Sequence, residues 1–196
     1  LLRQRGRLRN VPVYLDSPMA TSATALLHRH ADDHKLAQHD FETAFSEVTY
    51  VRDVEESKAL SANRYPKVII SASGMATGGR VLHHIEAFGG SHQNTLLFSG
   101  FQAAGTRGRK LLEGAREVKI HGRWMPIKAE VAELAMLSAH ADSDELMRWL
   151  RGFTKAPERV FIVHGESDAS EALRERIQRE LNWHASVPMQ NQEFAL

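Results

Sequence analysis

Two histidines in this sequence stand at strand ends, each with an acid two residues further on: His140 in Ser138-Ala139-His140-Ala141-Asp142 and His164 in His164-Gly165-Glu166. Imidazole is the commonest metal ligand and the side chain best suited to moving protons near neutral pH. A carboxylate close by can orient the ring or cap the helix that follows. His140 and His164 are therefore candidates for a catalyst or a metal ligand, with Asp142, Glu166 and Ser138 in support. The plainer reading is that Asp142 and Glu166 serve only helix starts.

A denser cluster, HRHADDH at residues 28–34, looks more like a metal site and is a weaker candidate. It follows the helical pattern ATSATALL, with Ser17 or Thr21 available near its N-cap. On a helix His28 and His30 point about 200° apart and cannot share an ion. His30 and His34 form an i,i+4 pair that needs a third ligand from elsewhere. A helix face is the expected environment.

Two glycine-rich turns suit anions. SASGMATGGR (71–80) follows an apolar run and precedes a helical one, so backbone N–H groups, the helix dipole and Arg80 can serve a phosphate. Ser71, Ser73, Gly74, Met75, Gly78 and Gly79 belong to this turn. SGFQAAGTRGR (99–109) repeats the arrangement with Gly100, Gly105, Thr106, Gly108 and Arg109. Two such turns point to a polyanionic ligand. His83 and His84 lie inside the helix after the first turn and read as structural or partly exposed. His39, His92, His121 and His184 fall in loops or strand edges without an evident partner.

The elements that must position these residues alternate. Apolar, β-branched runs at 11–15, 48–51, 67–73, 95–100, 118–120, 132–137 and 159–165 predict buried strands. Helical patterns lie between several of them, the clearest being ASEALRERIQREL, with Ala172, Leu173, Ile177 and Leu181 on one apolar stripe. Strand followed by helix predicts an α/β fold with a mostly parallel sheet and helices on both faces. Ligands in such sheets gather at the C-terminal ends of strands. Asp16-Ser17-Pro18 and the segments at 71–75, 138–142 and 164–166 all sit there. The alternation weakens from 114 to 137, where two or three short strands are expected, so a boundary is placed near residue 115: residues 1–115, then 116–196.

With 196 residues, 42% of them hydrophobic and 25% charged, the chain has the profile of a globular protein. It has no cysteine, which excludes disulfides, thiolate zinc sites and a cysteine nucleophile, and fits a cytoplasmic setting. No apolar run approaches the ~20 residues of a membrane span. The basic run Arg3, Arg5, Arg7 and Arg9 could meet phosphates, though such runs are usually solvated faces. The chain does not begin with Met, and its opening residues read as the tail of a helix, so a piece of a longer protein is expected.

The ordered segments DSPMA (16–20), SASGMATGGRVLHHI, FSGFQAAGTRGRKLLEGA, LSAHAD and VHGE resemble the metallo-β-lactamase-fold nucleases with a β-CASP domain. That group includes the mRNA 3′-end-processing endonuclease and ribonuclease J, and the likeness is strongest to the bacterial RNA-processing exonuclease-like branch. It covers nearly the whole chain. The resemblance implies that residues 1–115 are most of a β-CASP domain and residues from 116 the returning C-terminal part of the metallo-β-lactamase domain. It implies that His140 is a proton donor to the leaving oxygen and His164 a ligand of one of two zinc ions. The substrate would be RNA, lying in a cleft between domains with the two glycine turns as phosphate contacts; a homo-oligomer is possible.

The family's His-x-His-x-Asp-His motif is not in this sequence. HRHADDH is one residue too long and follows DSPMA in the β-CASP part. The resemblance therefore implies that the parent is a zinc-dependent ribonuclease, and that this chain alone is inactive and binds zinc poorly. Two other readings are a non-catalytic RNA-binding or assembly module and an α/β protein that binds phosphosugars or nucleotides.

Overall fold

Val13–Asp16 (β1) is the centre of a three-stranded parallel sheet, between Val48–Tyr50 (β2) and Val68–Ser71 (β3). Val13 faces Val48 on one side and Val68 on the other. Parallel neighbours need crossover connections, and helices supply them: Pro18–Arg29 (α1) follows β1 and Val54–Ala62 (α2) follows β2. This computed structural model describes residues 11–33, 42–43, 45–134 and 140–194. The arginine run at 3–9, His34, His39, Ser138 and the end of the predicted strand at 135–137 lie outside them.

The α/β reading holds, with mainly parallel strands and six helices among the described residues. Val81–Phe88 (α3) leads to Thr95–Ser99 (β4), and Arg107–Leu112 (α4) to Glu117–Ile120 (β5). Arg123–Pro126 (β6) pairs antiparallel with β5, and Glu130–Leu134 (β7) pairs parallel with β4. The two or three short strands expected between 114 and 137 are β5, β6 and β7. Leu82, Ile85, Phe98, Leu111, Val118, Ile120 and Ile127 share one core. Because this core and the β4–β7 pair reach past residue 115, the first compact unit runs to Met136 and the second from Leu137.

In the second unit Ser143–Leu150 (α5), Val160–Phe161 (β8), Ser167–Leu181 (α6) and Ala185–Ser186 (β9) close on Met147, Leu150, Ile162, Ile177 and Ala185. β8 and β9 are parallel. Ile177 is buried on the expected stripe, with Leu173 and Leu181 packed against it. Ala172 is exposed instead, because it lies about 100° around the helix from Leu173. The strands also depart from expectation in burial. β3 and β4 alternate rather than being buried on both faces, leaving Val68, Ile70 and Leu97 exposed. None of the described helices is long and apolar enough to cross a membrane.

Helix α1 ends sooner than its pattern suggested. Arg29 is its last residue, His30 is the C-cap, and Ala31–Asp33 form a 3-10 turn. His30 Nδ1 lies 3.0 Å from the Asp33 carboxylate, a local contact across the helix end. No metal-ligating group forms here among the described residues.

Candidate active site

The end of β1 carries a carboxylate with no exposed surface, Asp16. An ionised carboxylate can be buried only if its lone pairs are taken up. Here Ser57 Oγ donates to Oδ2 at 2.5 Å, Arg80 Nη1 to Oδ1 at 2.5 Å, and His84 Nε2 to Oδ2 at 2.8 Å. Burial is the largest influence on Asp16 and would raise its pKa. The hydrogen bonds from Ser57, Arg80 and His84 together outweigh it and hold the carboxyl below the ordinary aspartate range. Burial pushes the His84 imidazole down despite the pull of Asp16. A neutral ring with its proton on Nε2 fits both contacts, since Nδ1 is then free to accept from Ser61 Oγ at 3.0 Å.

This network ties the first strand end to the first glycine turn. Ser71 Oγ donates to the Asp16 carbonyl at 2.8 Å. Ser17 caps α1, accepting from Ala20 N, with Pro18 following in the first turn. Within the turn, Ser73 Oγ accepts from Thr77 N at 3.1 Å and Gly78 N at 3.3 Å. Two of the backbone donors that a phosphate would use are thus occupied by the turn's own hydroxyl. Arg80 points its Nη1 inward to Asp16 and the Val51 carbonyl. Gly79 has φ +78°, and a Cβ there would lie 2.5 Å from the Ala72 carbonyl oxygen, so only glycine fits.

The two glycine turns lie side by side. Gly108 N donates to the Met75 carbonyl at 3.0 Å, and Gln102 Nε2 donates to the carbonyls of Gly74 and Gly100, each at 3.1 Å. Arg107 reaches the carbonyls of Ala76 and Thr77 from α4. Thr106 is the N-cap of α4, accepting from Arg109 N at 3.2 Å, and Gly105 before it has φ +81°. Arg109 Nε pairs with Glu113 at 2.7 Å. Gly74 and Gly105 have open space where a side chain would be.

In the second unit the rings of His140 and His164 are 6.4 Å apart, inclined at 49°, and both residues are exposed. His164 follows β8 and Ile162 in the left-handed region, φ +69°. Asp142 is spent on α5. Its Oδ1 accepts from Asp144 N and Glu145 N, both at 2.9 Å, while Glu145 returns a bond to Asp142 N at 3.0 Å. Glu166 holds the N-cap position of α6 without a side-chain cap bond.

Metal chemistry at this pair is limited by donor count. His164 is a suitable single nitrogen donor, but no group of three donors forms around it among the described residues, and a zinc centre needs at least three.

Three participants were not legible as site residues. Ser57, Gln102 and Arg107 act through long-range contacts that carry no local signature. His84 did leave a signal, for it shares the i, i+3, i+4, i+7 face of Val81, Ile85 and Phe88.

A Beta-Casp domain model matches residues 1–111, and a Zn-dependent metallo-hydrolase RNA specificity domain model matches residues 124–188. The chain is similar to Ribonuclease TTHA0252 of Thermus thermophilus, 38% identical over 85% of this chain and 39% of that protein. It is similar to an RNase J-like protein of Methanocaldococcus jannaschii, 30% identical over 94% of this chain and 42% of the relative. Transcription termination factor FttA of Methanosarcina mazei is 32% identical over 91% of this chain and 30% of its own length. The chain therefore spans less than half the length of each of these relatives.

Proposed function

Since the chain belongs to the β-CASP family of metallo-β-lactamase-fold nucleases, we propose that it is part of a zinc-dependent ribonuclease that hydrolyses RNA phosphodiester bonds. The observation that carries the reading is the pairing of His140 with His164, 6.4 Å apart between rings, in loops that lead into α5 and α6. In this reading residues 1–115 are most of the β-CASP domain and residues 116–196 the returning lactamase part.

His164 would hold one zinc ion, with the remaining donors coming from a His-x-His-x-Asp-His segment of the longer protein. The chemistry supplied with zinc in place would be Lewis-acid activation of the attacking water and of the phosphoryl group. His140 gives a proton to the leaving oxygen. Asp142 contributes by starting α5, which fixes the loop bearing His140. Glu166, at the N-cap of α6, supports the loop that bears His164. RNA phosphates meet the turns where they are open, at Gly74 and Gly105, flanked by Ser73, Thr106 and Arg109. Arg80 positions the first turn through Asp16.

The longer protein tests the assignment. His164→Ala is expected to lower zinc content and cleavage together. His140→Ala is expected to keep zinc and slow cleavage of an RNA oligonucleotide. Equal loss of zinc in both variants overturns the division of roles, and an upstream sequence without His-x-His-x-Asp-His overturns the nuclease reading. The chain of residues 1–196 alone is expected to leave RNA uncut.

A further inference from the structure

We propose that His83, Glu86 and His121 form a second divalent-cation site, of the zinc class, on the surface of the first compact unit. One ligand atom from each residue lies within 4.8 Å of the other two. The His121 Nδ1 is 3.0 Å from the Glu86 carboxylate, and His83 Nδ1 is 3.9 Å from the same oxygen. The His83 and His121 rings stack at 4.7 Å with 29° between their planes.

The residues that hold these ligands are rigid. Each ligand directly follows a buried member of one core: Leu82 precedes His83, Ile85 precedes Glu86, and Ile120 precedes His121. His83 and Glu86 are an i,i+3 pair on α3, so they share a face. His121 is presented by the two-residue turn between β5 and β6, where His121 has φ +45° and Gly122 φ +82°. Successive left-handed residues make the type I′ turn that matches the twist of a hairpin. The ligand-bearing backbone is therefore set by the helix and the hairpin, and only side-chain ends have to move.

Two imidazole nitrogens and one carboxylate oxygen are a set that zinc accepts, leaving a fourth position for water. Bonds of about 2.0 to 2.1 Å space tetrahedral ligands roughly 3.4 Å apart, so closure from 4.8 Å needs about an ångström of motion at the ends of side chains that are at least partly exposed. An ion here would join α3 to the β5–β6 turn. It is independent of the nuclease reading, since none of the three residues belongs to that centre.

The test is titration of the chain with zinc chloride against a chromogenic chelator, repeated with cobalt(II) to read ligand-field absorption. One equivalent is expected to bind, and the thermal midpoint is expected to rise with free zinc. His121→Asn keeps a residue that tolerates the left-handed turn, and Glu86→Gln leaves the turn untouched. Each is expected to weaken binding at least about tenfold, as loss of even an outer-shell partner does so, with an unchanged far-ultraviolet spectrum. His164→Ala is expected to leave this equivalent in place. Absence of binding, binding that survives both His121→Asn and Glu86→Gln, or binding abolished by His164→Ala overturns the site.

Discussion

His84 donates its Nε2 proton to Asp16 at 2.8 Å across 68 residues of chain, joining the middle of α3 to the end of β1. The carboxylate can only accept, which assigns the tautomer, and Ser61 meets the other ring nitrogen. This pair, with Arg80 and Ser57, decides how the first glycine turn is seated.

Asp16→Asn is expected to destabilise the first unit by about 3 to 5 kcal/mol, the scale for breaking a buried charged pair from one side. The neutral amide leaves Arg80 uncompensated and places an N–H toward one of the three donors. Urea denaturation of the variant beside the parent chain measures this; a change under 1 kcal/mol, roughly the size of an exposed pair, would contradict it.

Acid is expected to weaken the fold in two stages. His84 is held below the ordinary histidine range by burial, so the unfolded chain takes up a proton first. Its contribution is complete above about pH 6.5, the unfolded value, and declines as pH falls toward the lower folded value. Asp16 is also depressed, so its contribution is complete above about pH 4 and is lost below. His84→Gln retains an N–H for Asp16 and removes the proton site. Denaturation midpoints at pH 7 and pH 5 should differ less in this variant than in the parent; equal differences would exclude His84 as the source.

Gly108→Ala is expected to cost about 1 to 3 kcal/mol through overpacking. Its Cβ would lie 1.8 Å from Gln102 Oε1 and 3.1 Å from the Phe98 ring. Gln102 cannot swing away cheaply, since its amide nitrogen serves three carbonyls, those of Gly74, Gly100 and Phe101. Its Oε1 is buried without a partner. Adding Gln102→Ala should recover part of the loss, and a double-mutant cycle with no coupling would place the clash elsewhere.

Asp142 separates two roles by a conservative pair. As the cap of α5 it is replaceable by Asn, whereas Asp142→Ala should cost about 1 kcal/mol. Thermal melts of both variants give the answer. An Asn variant as unstable as the Ala variant would mean that the charge, and not the cap, is what the fold uses.

Patterning made the class of the fold legible because its causes are local. Alternating strand and helix periods predicted β1 to β4 and the helices between them, whereas the helical pattern expected to run through HRHADDH stops at Arg29, with Ala31–Asp33 in a 3-10 turn. His84, by contrast, looked like one histidine of an adjacent pair, and the face it shares with Val81, Ile85 and Phe88 is what separates it from exposed His83. The boundary expected near residue 115 and the compact unit ending at Met136 differ because β7 pairs with β4, a contact 35 residues apart in sequence that no local period encodes.

By itself the sequence determined most of the elements, the glycines their turns demand and the place of His164 between β8 and α6, all of which depend on residue type and spacing. Tertiary structure alone decided which polar groups meet. Asp16 found Ser57, Arg80 and His84, and His121 found His83 and Glu86, because burial leaves a polar atom no water to bond and the fold brings its partners from distant segments.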